Sequence, residues 1–404
     1  MLRETGVFLH ADQRMIRAVA AAAALGLFLP AFAAEPVRIG VVAPFSGVAA
    51  DFGKQMQAGM NAWMKIHGDT VAGRKIELLI RDTGGPNPEV AKRLAQELVT
   101  RDSVDFLAGF GFTPEAMASA PIATEAKKPM VIMNAATSVI TTKSPYIVRF
   151  SMTLPQVSAP MATWAAKNGI KKVYTLVTDF GPGIDAEKQF SATFKAAGGE
   201  IVDSVRTPLR NPEFGPYVQR IKDAKPEAVF IFVPAGEQSV AFMKAFEERG
   251  LKEAGIKIIA TGDLTDDDVL QSIGEPVLGV ITSFHYSAYH DSPENKAFVK
   301  AFHEVAKDLP RPNFMAVGGY DGMAGIAEVV AKLGNDIDGD KAMEILKNVK
   351  LTSPRGPIAI DPATRDIVQT IYIRRVQKVG DQYYNVEFDK YPDVRDPGKL
   401  GDNK

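Results

Sequence analysis

Few residues of this chain are spaced as catalytic machinery usually is. His285 and His290 flank two tyrosines and precede Asp291, and such side chains could hold a metal ion, but they do not form the HExxH pattern of a zinc site. We favour a surface or cleft-lining role for them. The sequence has no Cys, which excludes thiolate metal sites, disulfides and a cysteine nucleophile. We therefore predict no catalytic centre, no metal and no cofactor.

Motifs for cofactor binding and for acyl transfer are incomplete as well. Gly109 and Gly111 lack the third glycine of a dinucleotide-binding fingerprint, and there is neither a Walker loop nor a Gly-x-Ser-x-Gly elbow. Paired carboxylates that hydrolyse glycosides carry no sequence signature of their own. A secreted hydrolase therefore stays open as an alternative function.

One run of three acids, Asp266–Asp268, follows Thr265 and has two interpretations. The carboxylates could bind a cation, or they could lie at the positive N-terminal end of a helix. We favour the helix start, because a threonine and acids directly before an apolar pair are typical of a first helical turn.

The segments that must position these residues alternate between short apolar runs and amphipathic stretches. Ten runs before residue 284 are typical of strands in a parallel sheet, and this number exceeds what one compact sheet usually holds. The sequence therefore predicts an α/β fold with two doubly wound, Rossmann-like lobes of about five strands each. The predicted strands are Val37–Ala43, Lys75–Arg81, Val104–Gly109, Pro129–Asn134, Tyr146–Ser151, Lys172–Thr178, Glu200–Arg206, Ala228–Pro234, Lys257–Thr261 and Val277–Ser283.

Further signals locate a helix start, two interruptions and a ribbon. Asn87, followed by Pro and Glu, predicts an N-cap. The regular alternation is interrupted at Phe150–Gln156 and again at Ser283–Pro293. Near the C-terminus, Ile371–Val376 and Tyr383–Phe388 predict a β-ribbon.

The N-terminus predicts export. Arg17 precedes a dozen uncharged residues and a small-residue cleavage site ending at Ala33, so residues 1–33 are interpreted as a signal peptide whose true start could be Met15. We expect a periplasmic protein. Lys and Arg number 47 against 48 Asp and Glu, a net charge of −1, which gives no electrostatic reason to expect nucleic acid as a partner.

Several segments, taken in order, resemble one family. Ile39–Gly47 resembles the opening strand and loop of type I periplasmic binding proteins, in particular the leucine/isoleucine/valine-binding branch that serves ABC importers. Asn134–Thr137 resembles the ligand loop of that family, Asp179–Gly183 its aromatic-glycine turn and Gly319–Asp321 its late helix start. The similarity covers about residues 37–390.

The resemblance implies two lobes joined by a three-crossing hinge, with the ligand in the cleft between them. By that pattern the first lobe comprises residues 36–152 and 284–358, and the second comprises residues 153–283 and 359–395. Residues 396–404 are expected to form a mobile tail. The resemblance also implies that the closed form delivers its ligand to separate ABC permease subunits, and we expect the binding protein to be a monomer.

The resemblance and the strand ends together suggest the residues of the cleft. Backbone N–H groups at Phe110–Thr113 and Ala135–Thr137, with the Thr137 hydroxyl, are expected to bind a ligand carboxylate. Close packing is the alternative role for the two alanines. Asp263 resembles the acid that pairs with a ligand ammonium, and a helix-capping or turn role is its alternative. The expected ligand-binding residues are Phe45, Phe110, Gly111, Phe112, Thr113, Asn134, Ala135, Ala136, Thr137, Phe180, Ala235, Asp263 and Tyr286.

The loop that is often serine-rich in amino-acid binders contains Phe110 and Phe112 here, which is a departure from the family pattern. Further rings are cleft candidates, namely Phe45, Phe52, Phe180, Phe284 and Tyr286. Rings favour an aromatic acid such as a benzoate or a phenylpropenoid. Because 22 phenylalanines supply many core rings, a branched-chain amino acid remains an equal alternative. A periplasmic sensor for a separate signalling receptor also remains open.

Overall fold

The computed structural model describes Met1 and residues 34–399. The predicted signal peptide, apart from Met1, lies outside these residues. In the described part of the chain, no helix is both long enough and apolar enough to span a bilayer.

A six-stranded sheet forms the first lobe. Its strand order is β2-β3-β1-β4-β5-β6, and every pair is parallel except the short β2–β3 hairpin. Nearly all residues of β1, in the middle of the sheet, are buried, as expected for a strand covered on both faces. The strands are β1 (Val37–Ala43), β2 (Thr70–Val71), β3 (Arg74–Asp82), β4 (Phe106–Gly109), β5 (Met130–Ile132) and β6 (Ile147–Arg149).

A nine-stranded sheet forms the second lobe. Its order is β12-β13-β14-β11-β10-β9-β7-β8, and β15 pairs with β14. Strands β11, β10, β9, β7 and β8 are parallel and extend to one edge of the sheet, whereas the C-terminal strands β12 to β15 are added antiparallel. The strands are β7 (Lys172–Thr178), β8 (Glu200–Thr207), β9 (Ala228–Phe232), β10 (Lys257–Thr261), β11 (Ile281–Phe284), β12 (Lys350–Ser353), β13 (Gly356–Ile360), β14 (Ile367–Val379) and β15 (Gln382–Val394). The predicted pair of α/β lobes is confirmed.

Helices cover the faces of both sheets. Asn87 caps one of them, since its side-chain oxygen accepts from the Val90 N–H at 3.4 Å, as the sequence predicted. The helices are α1 (Ala50–His67), α2 (Pro88–Thr100), α3 (Thr113–Ala126), α4 (Leu154–Lys167), α5 (Gly181–Ala196), α6 (Gly215–Ala224), α7 (Glu237–Glu248), α8 (Leu270–Ile273), α9 (Pro293–Val305), α10 (Phe314–Leu333) and α11 (Gly339–Leu346).

The chain passes between the lobes three times. The crossings follow β6, β11 and α11, because α9 and α10 pack against α1 of the first lobe whereas β12 returns to the second sheet. The boundary expected at residue 358 falls inside β13, so strand pairing returns the chain to the second lobe at Lys350 instead. Helices α1 and α10 approach so closely that a Cβ on Gly59 would lie 1.9 Å from the Ala316 carbonyl oxygen.

Residues 396–399 were expected to begin a mobile tail, but they pack against residues of both lobes. Asp396 is buried and accepts from the Ser138 hydroxyl at 3.1 Å. The Lys399 ammonium contacts the Asp366 carboxylate and the Thr141 hydroxyl. Residues 400–404 lie outside the described residues.

A buried arginine joins the first and third crossings. The Arg355 guanidinium pairs with Asp321 of α10 at 2.6 Å and donates to the Ser151 carbonyl at 3.1 Å and to the Gln369 side chain at 2.9 Å. It also contacts the Phe150 carbonyl. Burial raises the pKa of Asp321, and the charge of Arg355 opposes that shift. We call these residues the crossing cluster.

Candidate ligand-binding cleft

The cleft lies where the carboxyl ends of the parallel strands of both sheets meet. It encloses an inner cavity of about 30 Å³, which has room for one or two water molecules. Both lobes contribute to its walls. The lining residues are Phe52, Gly111, Phe112, Thr113, Asn134, Ala135, Ala136, Met152, Leu154, Phe180, Pro182, Phe232, Pro234, Ala235, Asp263 and Phe314.

The turn after β4 determines which of its residues reach this cavity. Gly109 and Phe110 both have positive φ angles, 99° and 63°, which turn the chain sharply away from the strand. The Phe110 N–H donates to the Val42 carbonyl at 2.7 Å, and the Phe110 side chain is fully buried in the lobe core. The ring of Phe110 is therefore not a cleft residue, contrary to the prediction, whereas Gly111 and Phe112 line the cavity.

Backbone donors of the first lobe meet at the inner cavity. The Ala135 N–H is used by the Phe110 carbonyl at 3.0 Å. Within residues 34–399, the N–H groups of Gly111, Thr113 and Ala136 have no protein acceptor. Unpaired N–H groups at a helix N-terminus favour an anion. The first-lobe side of the cavity is therefore suited to a carboxylate.

The side chains of Asn134 and Glu115 hydrogen-bond to the backbone of the turn after β4. The Asn134 amide donates to the Gly111 carbonyl at 2.7 Å. Glu115, in the first turn of α3, accepts from the Phe112 N–H at 3.1 Å, and burial raises the pKa of Glu115 to about 7. Partial protonation near neutral pH therefore limits the negative charge placed beside this loop.

Thr137 lies behind the cavity wall rather than in it. Its hydroxyl is 2.8 Å from the Thr113 hydroxyl, and its carbonyl accepts from Arg149 at 2.7 Å. Thr113 lines the cavity, and its hydroxyl pairs with the Thr137 hydroxyl behind the wall. The predicted direct contact between Thr137 and the ligand is not supported by this geometry.

Gly181, the first residue of α5, is where the second lobe touches this threonine pair. A Cβ on Gly181 would lie 2.6 Å from the Thr137 hydroxyl oxygen and 3.4 Å from the Thr113 methyl carbon. Even a methyl group at this contact between the lobes would force the Thr137 side chain to move.

Phenyl rings form most of the remaining wall. Phe52 and Phe112 of the first lobe stack with centroids 5.0 Å apart, and Phe180 and Phe232 of the second lobe stack at 6.0 Å. Phe314, from the start of α10, is the fifth ring. Offset or edge contacts between rings contribute about 0.5–1.5 kcal/mol per pair beyond burial. The cavity is therefore suited to a flat aromatic solute.

Asp263 is the single acid among the lining residues. It is 6% exposed, and its Oδ2 accepts from the Thr261 hydroxyl at 2.8 Å. In the described residues, no side-chain donor reaches its Oδ1. Burial raises the pKa of Asp263 to about 6. This carboxylate can accept a hydrogen bond from a ligand when it is ionised.

Two other predicted cleft residues lie elsewhere. Phe45 packs against Gly53 of α1, and its N–H donates to Asp82 at 2.7 Å. Tyr286 is buried at the second crossing, where its hydroxyl donates to Asn295 at 3.0 Å. Neither side chain lines the inner cavity. Phe284, also considered as a rim residue, is buried against Phe314.

The two histidines near the second crossing have different surroundings. His290 pairs with Glu387 of the ribbon at 2.8 Å. His285 is fully buried, and burial lowers its pKa well below the usual value. Among the described residues, no three His, Asp or Glu side chains form a group that could hold a metal ion.

The acidic run does not cap a helix, so the favoured interpretation of Asp266–Asp268 is wrong. Helix α8 begins later, and the backbone carbonyl of Asp266 accepts from the Leu270 N–H. The carboxylates of Asp266 and Asp268 instead accept from the Asn313 amide of the first lobe at 2.8 and 3.1 Å. Long-range partners, invisible in sequence, decide their role.

Six lining residues were not predicted from sequence. Most of them end a strand or follow one closely, and this position is the signal that could have identified them. Phe232 is the last residue of β9, and Met152 lies in the first crossing. The six are Met152, Leu154, Pro182, Phe232, Pro234 and Phe314.

The fold and the cleft together define a two-lobed solute-binding protein. The model of the periplasmic binding protein family matches residues 36–381, and the chain belongs to that family. Proteins of this family bind small-molecule substrates for ABC transporters and work in the periplasm.

The relatives are described as binding proteins for two kinds of solute, branched-chain amino acids and aromatic acids. A Leu/Ile/Val-binding protein homologue of Brucella melitensis is 46% identical and covers 94% of this chain and 98% of its own. A solute-binding protein of Rhodopseudomonas palustris BisB5, solved with 3,4-dihydroxybenzoic acid, is 53% identical, with a TM-score of 0.87 over 90% of this chain and 99% of its own. Another from R. palustris, solved with 4-hydroxybenzoate, is 44% identical, with a TM-score of 0.89 over the same shares.

Proposed function

We propose that this chain is the periplasmic substrate-binding component of an ABC importer for hydroxylated aromatic carboxylates. The observation that supports this most directly is the set of five phenyl rings around one buried acid in the inner cavity. The proposal includes export by the predicted signal peptide, a monomeric state, no nucleic-acid partner and no enzymatic activity. Pure protein should therefore leave aryl esters and glycosides unchanged.

In the proposed complex, each end of the solute has its own partners. The carboxylate accepts from the N–H groups of Gly111, Thr113 and Ala136, and from the Thr113 hydroxyl. The ring lies among the phenyl rings, and a ring hydroxyl donates to Asp263. Two relatives at 53% and 44% identity were solved with hydroxybenzoates, which supports this assignment.

A branched-chain amino acid is the competing solute, and the name of the Brucella relative supports it. Its ammonium would pair with Asp263, and its side chain would contact the rings. An aliphatic side chain gains burial but not ring stacking, so five rings favour the aromatic acid.

Binding couples to hinge closure. Lining residues come from both lobes, so a solute contacts the full wall only in the closed state and favours that state. A benzoate does not fit a cavity of about 30 Å³, so the lobes must open for entry and must lie slightly farther apart around the bound solute than they do in this structure. No covalent step is involved.

The proposal is tested by isothermal titration calorimetry of residues 34–404. We expect 4-hydroxybenzoate to bind with a Kd of about 1 μM or tighter, equivalent to roughly −8 kcal/mol. Leucine, isoleucine and valine should bind at least about tenfold more weakly. Tighter binding of leucine than of the aromatic acid would overturn the assignment.

Replacement of Asp263 by asparagine should weaken 4-hydroxybenzoate more than benzoate, by about tenfold at pH 8, because a charged acceptor is lost. In the parent chain, 4-hydroxybenzoate binding should weaken as the pH falls through about 6, where Asp263 becomes protonated. Calorimetry from pH 5 to pH 8 measures both effects. Equal losses for the two solutes would contradict the role of Asp263.

The same substitution should stabilise the empty protein at high pH. Because the pKa of Asp263 is raised in the folded state, its contribution to stability is fully present below about 3.8 and is lost as the pH rises through about 6. At pH 8 the free energy of unfolding of the asparagine variant, measured by urea denaturation, should therefore exceed that of the parent by about 1–2 kcal/mol. At pH 3.5 the variant should show no such gain. A gain of equal size at both pH values would argue against burial of this charge.

Replacement of Phe180 by leucine should weaken hydroxybenzoate binding by about tenfold, since the ring stack with Phe232 is lost while the apolar surface is retained. Phe388→Leu is the matched control, because that ring lies half-exposed on β15. The control should bind like the parent in the same titration. If Phe180→Leu also binds like the parent, ring stacking is not a source of affinity.

A further inference from the structure

A second cavity of about 420 Å³ lies against the outer side of the inner cavity. Four residues line both cavities and form the partition between them. Phe52 and Phe112 belong to the first lobe, and Pro234 and Ala235 belong to the second. The partition is therefore divided across the lobe interface.

The outer cavity has walls of its own. From the first lobe come Val48 and the segment 84–87, and from the second come the segment 209–212 and the first turns of α7. Arg210 spans the mouth, where its guanidinium is 3.4 Å from the Pro86 carbonyl oxygen. The volume lies within the range of about 300–1,000 Å³ that is usual for ligand cavities.

The outer walls combine apolar surface with a cation. Val48 is 81% exposed, the most exposed large apolar side chain in residues 34–399, and Leu209 and Pro212 lie among the same lining residues. The Arg210 guanidinium is available to stack on an aromatic face. Such walls are suited to a second aromatic ring.

We propose that the outer cavity is a second binding compartment, which receives the second ring of a two-ring aromatic acid whose first ring occupies the inner cavity. The inference rests on the proposed function of the inner cavity. The unpaired N–H donors at Gly111, Thr113 and Ala136 belong to the inner wall alone. The carboxylate therefore stays inside, and the second ring extends outward.

The hinge provides the passage between the two cavities. Because the stacked pair Phe52–Phe112 and the segment Pro234–Ala235 belong to opposite lobes, a small opening separates them and joins the cavities. No rearrangement inside either lobe is needed. A two-ring acid should therefore bind a less closed state than a one-ring acid, with a radius of gyration between those of the empty and the 4-hydroxybenzoate-bound protein.

Calorimetry of residues 34–404 with 4-hydroxybenzoate, 3-phenylbenzoate and 4-phenylbenzoate tests the proposal. Two phenylbenzoates are used because the position of the second ring decides whether it points outward. At least one should bind within about tenfold of 4-hydroxybenzoate, equivalent to 1.4 kcal/mol. Ala241→Trp fills the outer cavity from an exposed position of α7, and Ala241→Ser is its control.

The tryptophan variant should weaken the phenylbenzoate by at least about tenfold and change 4-hydroxybenzoate by less than about twofold. Binding of 4-hydroxybenzoate with no binding of either phenylbenzoate would overturn the second compartment and leave the proposed function standing. Failure of all three acids would overturn the proposed function itself. Equal weakening of one-ring and two-ring acids by Ala241→Trp would also overturn the inference, because it would indicate an effect on closure.

Discussion

Replacement of Gly181 by valine is expected to lower solute affinity by about a hundredfold or more. A Cβ at this position would already lie 2.6 Å from the Thr137 hydroxyl oxygen of the other lobe, and two further methyl groups enlarge the clash. The closed state becomes unfavourable, and affinity falls with the population of the binding-competent state. Calorimetry with 4-hydroxybenzoate measures the loss.

A double variant separates blocked closure from local damage. Gly181→Ala alone should weaken binding by about tenfold. Adding Thr137→Ala should recover most of that loss, because it removes the hydroxyl that the new methyl group would contact. Urea unfolding should differ little among these chains, since the contact lies between lobes. Full affinity in Gly181→Val would contradict the closed geometry, as would a double variant weaker than both single ones.

Replacement of Arg355 by alanine is expected to cost about 3–5 kcal/mol of unfolding free energy. Removal of the guanidinium leaves Asp321 charged and buried, and it also leaves the Phe150 carbonyl and the Gln369 side-chain oxygen without their donor. Urea denaturation at pH 7, followed by circular dichroism, measures the change.

The exposed pair Arg93–Glu97 on α2 offers a matched control. It has the same charges at 2.6 Å, but the arginine side chain is 60% exposed, so Arg93→Ala should cost less than about 1 kcal/mol. Similar losses for Arg93→Ala and Arg355→Ala would contradict the importance of burial in the crossing cluster. In Arg355→Ala, Asp321→Asn should restore part of the stability, because it removes the unpaired charge.

Strand positions could be predicted from sequence where burial covers both faces. Val37–Ala43, Lys172–Thr178 and Lys257–Thr261 have their predicted bounds, because continuous apolar runs end at polar or turn residues. Strands β12 and β13 were missed. They are short and only partly buried, so no periodic pattern distinguishes them from a loop.

The cleft could be predicted in part, and the difference has a physical reason. Gly111, Phe112 and Asp263 are found at strand ends, where parallel sheets place their binding loops. Thr137 could not be assigned, because its hydroxyl is satisfied by Thr113 from a distant segment. Phe314 is also far in sequence from the other rings that line the cavity, and only the packing of α10 brings it there.

The threefold crossing of the chain also governs the order in which the lobes can be completed during synthesis. Strand β11 of the second sheet is fully flanked only when β14, nearly a hundred residues later, has been made. Helices α9 to α11 of the first lobe are made in between. Pairings so distant in sequence form slowly. Neither lobe can therefore reach its final fold on the ribosome until almost the whole chain has emerged.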